Sequence, residues 1–249
     1  MKKDTSWGKV ADWYDELLEG GDDTYQTQVI LPNLLRILDV KPGDRVLDIA
    51  CGQGFFARAF QEAGASVTGV DVSKELITLA SKESRNISYH VASSTALPVP
   101  DASFDKAVIV LALGNIADID GTFKEARRAL VPRGRLVLVV NHPAFRVPRH
   151  SDWQYEEASK TQYRRIGRYL SGETVVIDMH PGEKHGEKTL SYHRSLQDIS
   201  KSLRKNGFAT LRLEEWISHK RSGAGPRQLA EDTARKEIPL FLTLEAMNL

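Results

Sequence analysis

One segment constrains the fold more than any other: Val46-Leu47-Asp48-Ile49-Ala50-Cys51-Gly52-Gln53-Gly54-Phe55-Phe56-Ala57. A short apolar run over 45–49 follows the turn residues Lys41-Pro42-Gly43-Asp44 and reads as a buried strand. It enters a turn of small residues. A helix over 55–63 follows, stopped by Gly64. This order sets free helix-start amides at the end of a strand, and the missing side chains let a ligand approach the backbone.

The same rhythm repeats downstream. Strands are expected over 66–71, 87–92, 105–111 and 135–140. Helices are expected over 74–83, with Ser73 as N-cap, and over 121–130, with Asp120 as N-cap. The run 105–111 is apolar enough for a strand covered on both faces. Strand–helix alternation with short loops predicts an α/β fold built on a doubly wound, Rossmann-like parallel sheet. Two segments stand outside the rhythm. Residues 1–40 read as helical, with an acidic stretch and then Val29, Ile30, Leu34, Leu35, Ile37 and Leu38 at helical spacing. Residues 142–194 are an insertion whose later half reads as a hairpin of 173–180 and 188–194, turning over 181–186. A helix over 196–205 and strands over 208–216 and 240–245 close the chain.

Composition removes several function classes. The 34 basic and 33 acidic residues leave a net charge of +1, which gives no global field to hold a polyanion. Cys51 is the single cysteine, which excludes an internal disulfide framework and a cysteine-based structural zinc site. The two lysines at the N-terminus precede no apolar segment, and the longest apolar run, 107–113, is far short of a membrane span. A cytoplasmic protein is the expectation.

The glycine turn by itself admits two cofactors. Asp71 ends the second strand seventeen residues after Gly54, where a carboxylate can accept from both hydroxyls of a ribose. Gly52-x-Gly54-x-x-Ala57 also fits a dinucleotide fingerprint, so an NAD-dependent oxidoreductase stays open. Three further features bear on the choice. They are Leu47-Asp48-x-Ala50-Cys51-Gly52-x-Gly54, the segment Ala96-Leu97-Pro98-Val99-Pro100-Asp101-Ala102-Ser103-Phe104-Asp105, and Ala129-Leu130-Val131-Pro132-Arg133-Gly134-Arg135-Leu136. With them, the sequence resembles the class I S-adenosylmethionine-dependent methyltransferases, in the branch that includes the ubiquinone/menaquinone-biosynthesis C-methyltransferases. The likeness runs over roughly residues 10–145.

That resemblance implies a seven-stranded, mainly parallel sheet whose last strand is antiparallel, and S-adenosylmethionine as cofactor. It implies that Asp48, Ala50, Gly52 and Gly54 line the methionine part, Asp71 holds the ribose and Val72 packs on the adenine. Ser93 stands where an acidic residue usually binds the adenine amino group, so its hydroxyl or the amide of Ser94 would serve. Leu111 would lie beside the sulfonium, and Tyr14 would close over the cofactor. The whole chain, 1–249, is expected to be one domain: a helical cap (1–40), a cofactor-binding core (41–141), a substrate lid (142–194) and a closing helix and strands (195–249).

Methyl transfer from a sulfonium is an in-line displacement and chiefly needs donor and acceptor held collinear in a dry site. No metal site is expected. The fourth strand is followed by Ala112-Leu113-Gly114-Asn115 rather than the Asn/Asp-Pro-Pro-Tyr/Phe element of related nitrogen methylases. Cys51 lies inside the cofactor turn, so no cysteine remains to attack a pyrimidine ring. His142, past the fifth strand, and His193, at the end of the inserted hairpin, are the acid–base candidates. Within the insertion, residues 145–169 carry Arg146, Arg149, Lys160, Arg164, Arg165 and Arg168 among five aromatic residues. That mixture suits an acidic or aromatic acceptor, and equally a solvated lid whose aromatics pack on the sheet. The reading is a methyltransferase acting on oxygen or carbon of a small molecule, with nucleic acid and membrane disfavoured as partners. An RNA methyltransferase, an NAD-dependent oxidoreductase and a non-catalytic cofactor-binding protein remain as alternatives.

Overall fold

The computed structural model describes residue 7 and residues 23–178 and 188–249. Its centre is a seven-stranded sheet ordered β10-β11-β5-β4-β1-β2-β3. The first five strands are β1 (Arg45–Ile49), β2 (Ser66–Asp71), β3 (Ser88–Val91), β4 (Phe104–Val110) and β5 (Leu130–Asn141), all parallel. β11 (Phe241–Asn248) inserts between β5 and β10 (Phe208–Trp216) and runs antiparallel to both. The chain lays β2 and β3 on one side of β1, then returns to lay β4 and β5 on the other. The reversal between β1 and β4 leaves a crevice at the carboxyl ends of the strands, the usual ligand position in open α/β sheets.

The two faces of the sheet bury separate cores, because successive strand residues point to opposite sides. On one face Leu47, Ile49, Ile109 and Leu138 pack with Phe123 of α4 (Ile119–Ala129) and Leu203 of α5 (Leu196–Lys205). On the other, Val46, Val108 and Val139 pack with Leu34 and Ile37 of α1 (Leu31–Leu38) and Phe60 of α2 (Phe55–Glu62). Burial on both faces is why β1 and β4 are apolar almost throughout. The expected stop at Gly64 is present: it sits at φ 99°, and Ala65 N bonds back to Phe60 O at 3.0 Å. Gly69 of β2 has a different purpose. A Cβ there would lie 2.6 Å from the Tyr89 ring and 2.9 Å from Cys51 Sγ, so the glycine lets β3 lay its tyrosine across the neighbouring strand.

Ser73 caps α3 (Lys74–Glu83), accepting from Leu76 N at 3.2 Å. Asp120 is not the cap of α4. Asp118 is, accepting from Gly121 N at 2.8 Å, because the helix starts two residues earlier than the sequence suggested. Asp120 instead takes Ser202, Lys205 and Asn206 of the α5 region. Other shifts are of one to three residues, except that β5 begins at Leu130. Of residues 1–40, the described part holds α1 and a π-helical segment, Gln26–Ile30, before it.

The insertion contains two hairpins rather than one. β8 (Glu173–Asp178) and β9 (Lys188–His193) form the expected one; its turn, 181–186, lies outside the described residues. β6 (Ser151–Glu156) and β7 (Thr161–Ile166) form a second. A further helix, α6 (Gln228–Glu237), also emerged only in three dimensions; it buries Ala234 alone and so has no apolar stripe to announce it. Among the described residues, no helix is long and apolar enough to cross a membrane.

Candidate functional site

The crevice at the switch point is a cavity of ≈ 360 Å³. Its floor is the turn after β1. Ala50 (φ 60°), Gly52 (φ 58°) and Gly54 (φ 85°) all adopt the left-handed backbone region there. Ala50 does so with a side chain, a conformation of order 1 kcal/mol uphill that persists only where its surroundings enforce it. The enforcing bonds are visible: Cys51 N donates to Val70 O at 3.1 Å, and Gly54 N donates to Cys51 O at 3.0 Å. Asp71, at the end of β2, accepts from Gly52 N at 2.9 Å and from Ser73 N at 2.8 Å. One carboxylate thus joins the turn after β1 to the start of α3. Burial pushes its pKa up, and the amides of Ser73, Gly52 and Val72 oppose that rise.

Most of the residues singled out for the cofactor meet here. Ala50, Gly52, Asp71, Val72, Ser93, Ser94 and Leu111 all line the cavity. Val72 is 57% exposed, an aliphatic surface left open on the cavity wall. Ser93 and Ser94 have hydroxyl partners already, Thr95 and Thr122, each at 2.8 Å. Leu111 holds φ 55° at the end of β4, its amide donating to Val139 O at 2.7 Å. Tyr14 lies outside the described residues.

Asp48 and Gly54 do not line the cavity. Asp48 is buried under the turn, and its Oδ2 has no hydrogen-bond partner among the described residues. Desolvation, reinforced by the charge of Asp71, raises its pKa to about 8. Gly54 packs against Tyr89. Tyr89 OH and Gln53 Nε2 are also without partners, so three polar atoms lie orphaned beneath the turn. The Cys51 thiol is buried and its pKa is raised by desolvation, as befits an inert packing residue.

The two histidines lie apart from this cavity. His142 is 5% exposed and does not line the cavity. Its Nδ1 accepts from Ala144 N at 3.2 Å and Phe145 N at 3.3 Å, and its Nε2 is 2.7 Å from Glu215 Oε1. Both ring nitrogens are occupied, with Nε2 as the donor, and burial lowers the pKa. The ring braces the exit from β5. His193 stays out of this cavity, its Nε2 2.8 Å from Tyr169 O, but lines a smaller cavity that adjoins it. Sequence could not separate these roles, because a histidine past a strand end reads the same whether it turns to the ligand or to the loop.

Sequence reasoning also missed residues that line the cavity. Trp7, Asn115, Asp118 and Thr189 do so. Asn115 Nδ2 donates to Leu190 O at 3.0 Å, and Arg194 donates to Leu113 O, Ile116 O and Ala117 O, so β9 is fastened to the loop after β4. The described lining includes two carboxylates, Asp71 and Asp118, and neither lysine nor arginine. An acidic pocket over an open glycine turn fits a cationic ligand carrying a ribose; it lacks the basic side chains that would favour a pyrophosphate.

Strand order, glycine turn and the carboxylate on the next strand give the chain the fold of S-adenosylmethionine-dependent methyltransferases. Comparison with known proteins agrees. Residues 47–138 match the family described as a methyltransferase domain. The chain is 38% identical over 112 residues to a demethylmenaquinone methyltransferase of Tropheryma whipplei, covering 43% of this chain and 46% of that protein. It is 33% identical over 105 residues to one of Renibacterium salmoninarum, covering 42% and 44%. The matches thus span about half the length of these curated relatives. A solved S-adenosylmethionine-dependent methyltransferase from Mesorhizobium loti superposes with TM-score 0.71 at 28% identity, over 91% of this chain and 99% of that one.

Proposed function

We propose that this chain transfers a methyl group from S-adenosylmethionine to oxygen or carbon of a small-molecule acceptor. The observation that carries the reading is the acidic cavity at the switch point, closed below by the Asp71–Gly52 bond and without a basic side chain in its described lining. In this reading the backbone of Ala50 and Gly52 faces the methionine portion, Asp71 accepts from the ribose hydroxyls, and Val72 packs on the adenine with Ser93 and Ser94 at its edge. Leu111 supports the reactive end. The cofactor supplies an electrophilic methyl group on sulfur. The two carboxylates favour its positive charge, and the apolar walls exclude water. The small acceptor is supported by the name of the relatives, demethylmenaquinone methyltransferase.

His142 lies outside the cofactor cavity, while His193 lines the smaller cavity beside it and is the histidine placed to act on an acceptor; methyl transfer itself rests chiefly on positioning. The inserted hairpins and the N-terminal 40 residues would cover the acceptor, as separate parts of one domain. Calorimetry tests the cofactor: S-adenosylmethionine and S-adenosylhomocysteine should bind and NAD should not. Binding of NAD, or of neither sulfur nucleoside, overturns the proposal.

A further inference from the structure

A second cavity of ≈ 130 Å³ adjoins the first, with Leu111 and Asn115 lining both. It lies at the ends of β4 and β5, beneath β9. Its walls mix apolar residues, among them Leu113, Val140 and Pro143, with polar ones, among them Ser191, Tyr192 and His193. Two arginines also line it: Arg194 is engaged by the carbonyls of Leu113, Ile116 and Ala117, and Arg146 is not engaged in this way.

Residues 145–169 hold six lysines and arginines, and the five besides Arg146 are engaged. Arg149 donates to Val176 O, Lys160 pairs with Glu157, Arg165 with Asp152 and Arg168 with Glu173. Arg164 bonds Phe145 O and Ser151 and lies over the Trp153 ring. Of these six, Arg146 alone has no side-chain hydrogen bond or ion pair among the described residues, and desolvation lowers its pKa. Arg164 lies near enough for Arg146 to disfavour its charge too. Tyr25 is the one group that favours the charge of Arg146. The side chain keeps accessible surface where it lines the cavity. A guanidinium is cationic at any working pH, and this one, exposed at the cavity wall beside a second cation and without a carboxylate partner, is open to an anion. Asn141 puts an amide on the same cavity wall.

We propose that this second cavity is the acceptor subsite, and that Arg146 binds the carboxylate of a small, apolar acceptor whose reactive atom faces the cofactor across Leu111. The inference rests on the methyl-transfer reading above. It separates this chain from an enzyme whose acceptor is neutral: the anionic group is fixed at Arg146, and the methylated atom lies elsewhere on the molecule. A planar fork also matches a carboxylate in two parallel bonds, which fixes orientation as well as affinity.

Benzoate and its neutral analogue benzamide test this on the full chain saturated with S-adenosylhomocysteine. Benzoate should bind the wild type at least tenfold more tightly than benzamide. Arg146→Gln should erase that preference and leave S-adenosylhomocysteine affinity unchanged. Arg146→Lys, which keeps the charge and loses the fork, should retain part of it. Absence of benzoate binding, or equal benzoate affinity in the wild type and Arg146→Gln, overturns the acceptor proposal alone. Failure of the wild type to bind S-adenosylhomocysteine overturns the cofactor reading and this one with it.

Discussion

The Asp71 carboxylate receives the backbone amide of Gly52 at 2.9 Å, so the cofactor turn and the second strand hold one another in place. The bond links two positions whose separate motifs both point to a nucleoside ligand. Asp71→Ala should therefore damage more than a ribose contact. Affinity for S-adenosylmethionine and S-adenosylhomocysteine should fall together, by roughly ten- to a hundredfold, the scale of one charge-assisted hydrogen bond. Calorimetry with both ligands checks it; a loss confined to one would contradict the assignment, since both carry the ribose.

Asp48 makes stability depend on pH. Its folded-state pKa, about 8, lies above that of an unfolded aspartate, so the fold holds the proton more tightly than the unfolded chain does. The stabilisation is complete below the ordinary carboxylate value and is lost as pH rises through about 8. Between pH 5 and 9, in order-of-magnitude terms, the ligand-free wild type should lose melting temperature that Asp48→Asn retains. Parallel melting curves for the two proteins would show that the carboxyl does not titrate in this way.

Gly54 serves both its backbone and its neighbour. A Cβ there would lie 2.4 Å from Tyr89 OH, on a residue at φ 85°. Gly54→Ala should destabilise by about 1–3 kcal/mol and weaken S-adenosylhomocysteine. Adding Tyr89→Phe removes the clashing oxygen and should recover part of the stability but not all of it, because the backbone penalty stays. Thermal melts of the single and double variants measure the coupling; strict additivity would mean the two positions do not meet.

His142→Ala should behave as a structural lesion. It strips acceptors from the amides of Ala144 and Phe145 and a donor from Glu215. The expected cost is about 1–3 kcal/mol, or several degrees in melting temperature, with S-adenosylhomocysteine affinity changed less than about twofold. A large loss of affinity at unchanged melting temperature would return His142 to the site.

Much of the fold was legible because its determinants are local. Gly64 ends α2 through its own backbone angle, Ser73 caps α3 with its own hydroxyl, and the apolar run of β4 declares a strand covered on both faces. The β6–β7 hairpin was not legible. Its polar and aromatic residues earn burial only from distant partners, such as Arg227 stacked at 4.3 Å on Tyr155. The same reason hid α6.

For the candidate site, the sequence by itself determined a glycine turn between strand and helix and a carboxylate at the next strand's end, since both are written within thirty residues. Only the tertiary structure decided which side chains share the cavity. It turned His142 toward Glu215, buried Asp48 beneath the turn and engaged five of the six lysines and arginines of residues 145–169 while leaving Arg146 at a cavity wall. Side-chain direction and pairing depend on what folding brings alongside, and for these residues the partners come from elements as far away as the closing strands.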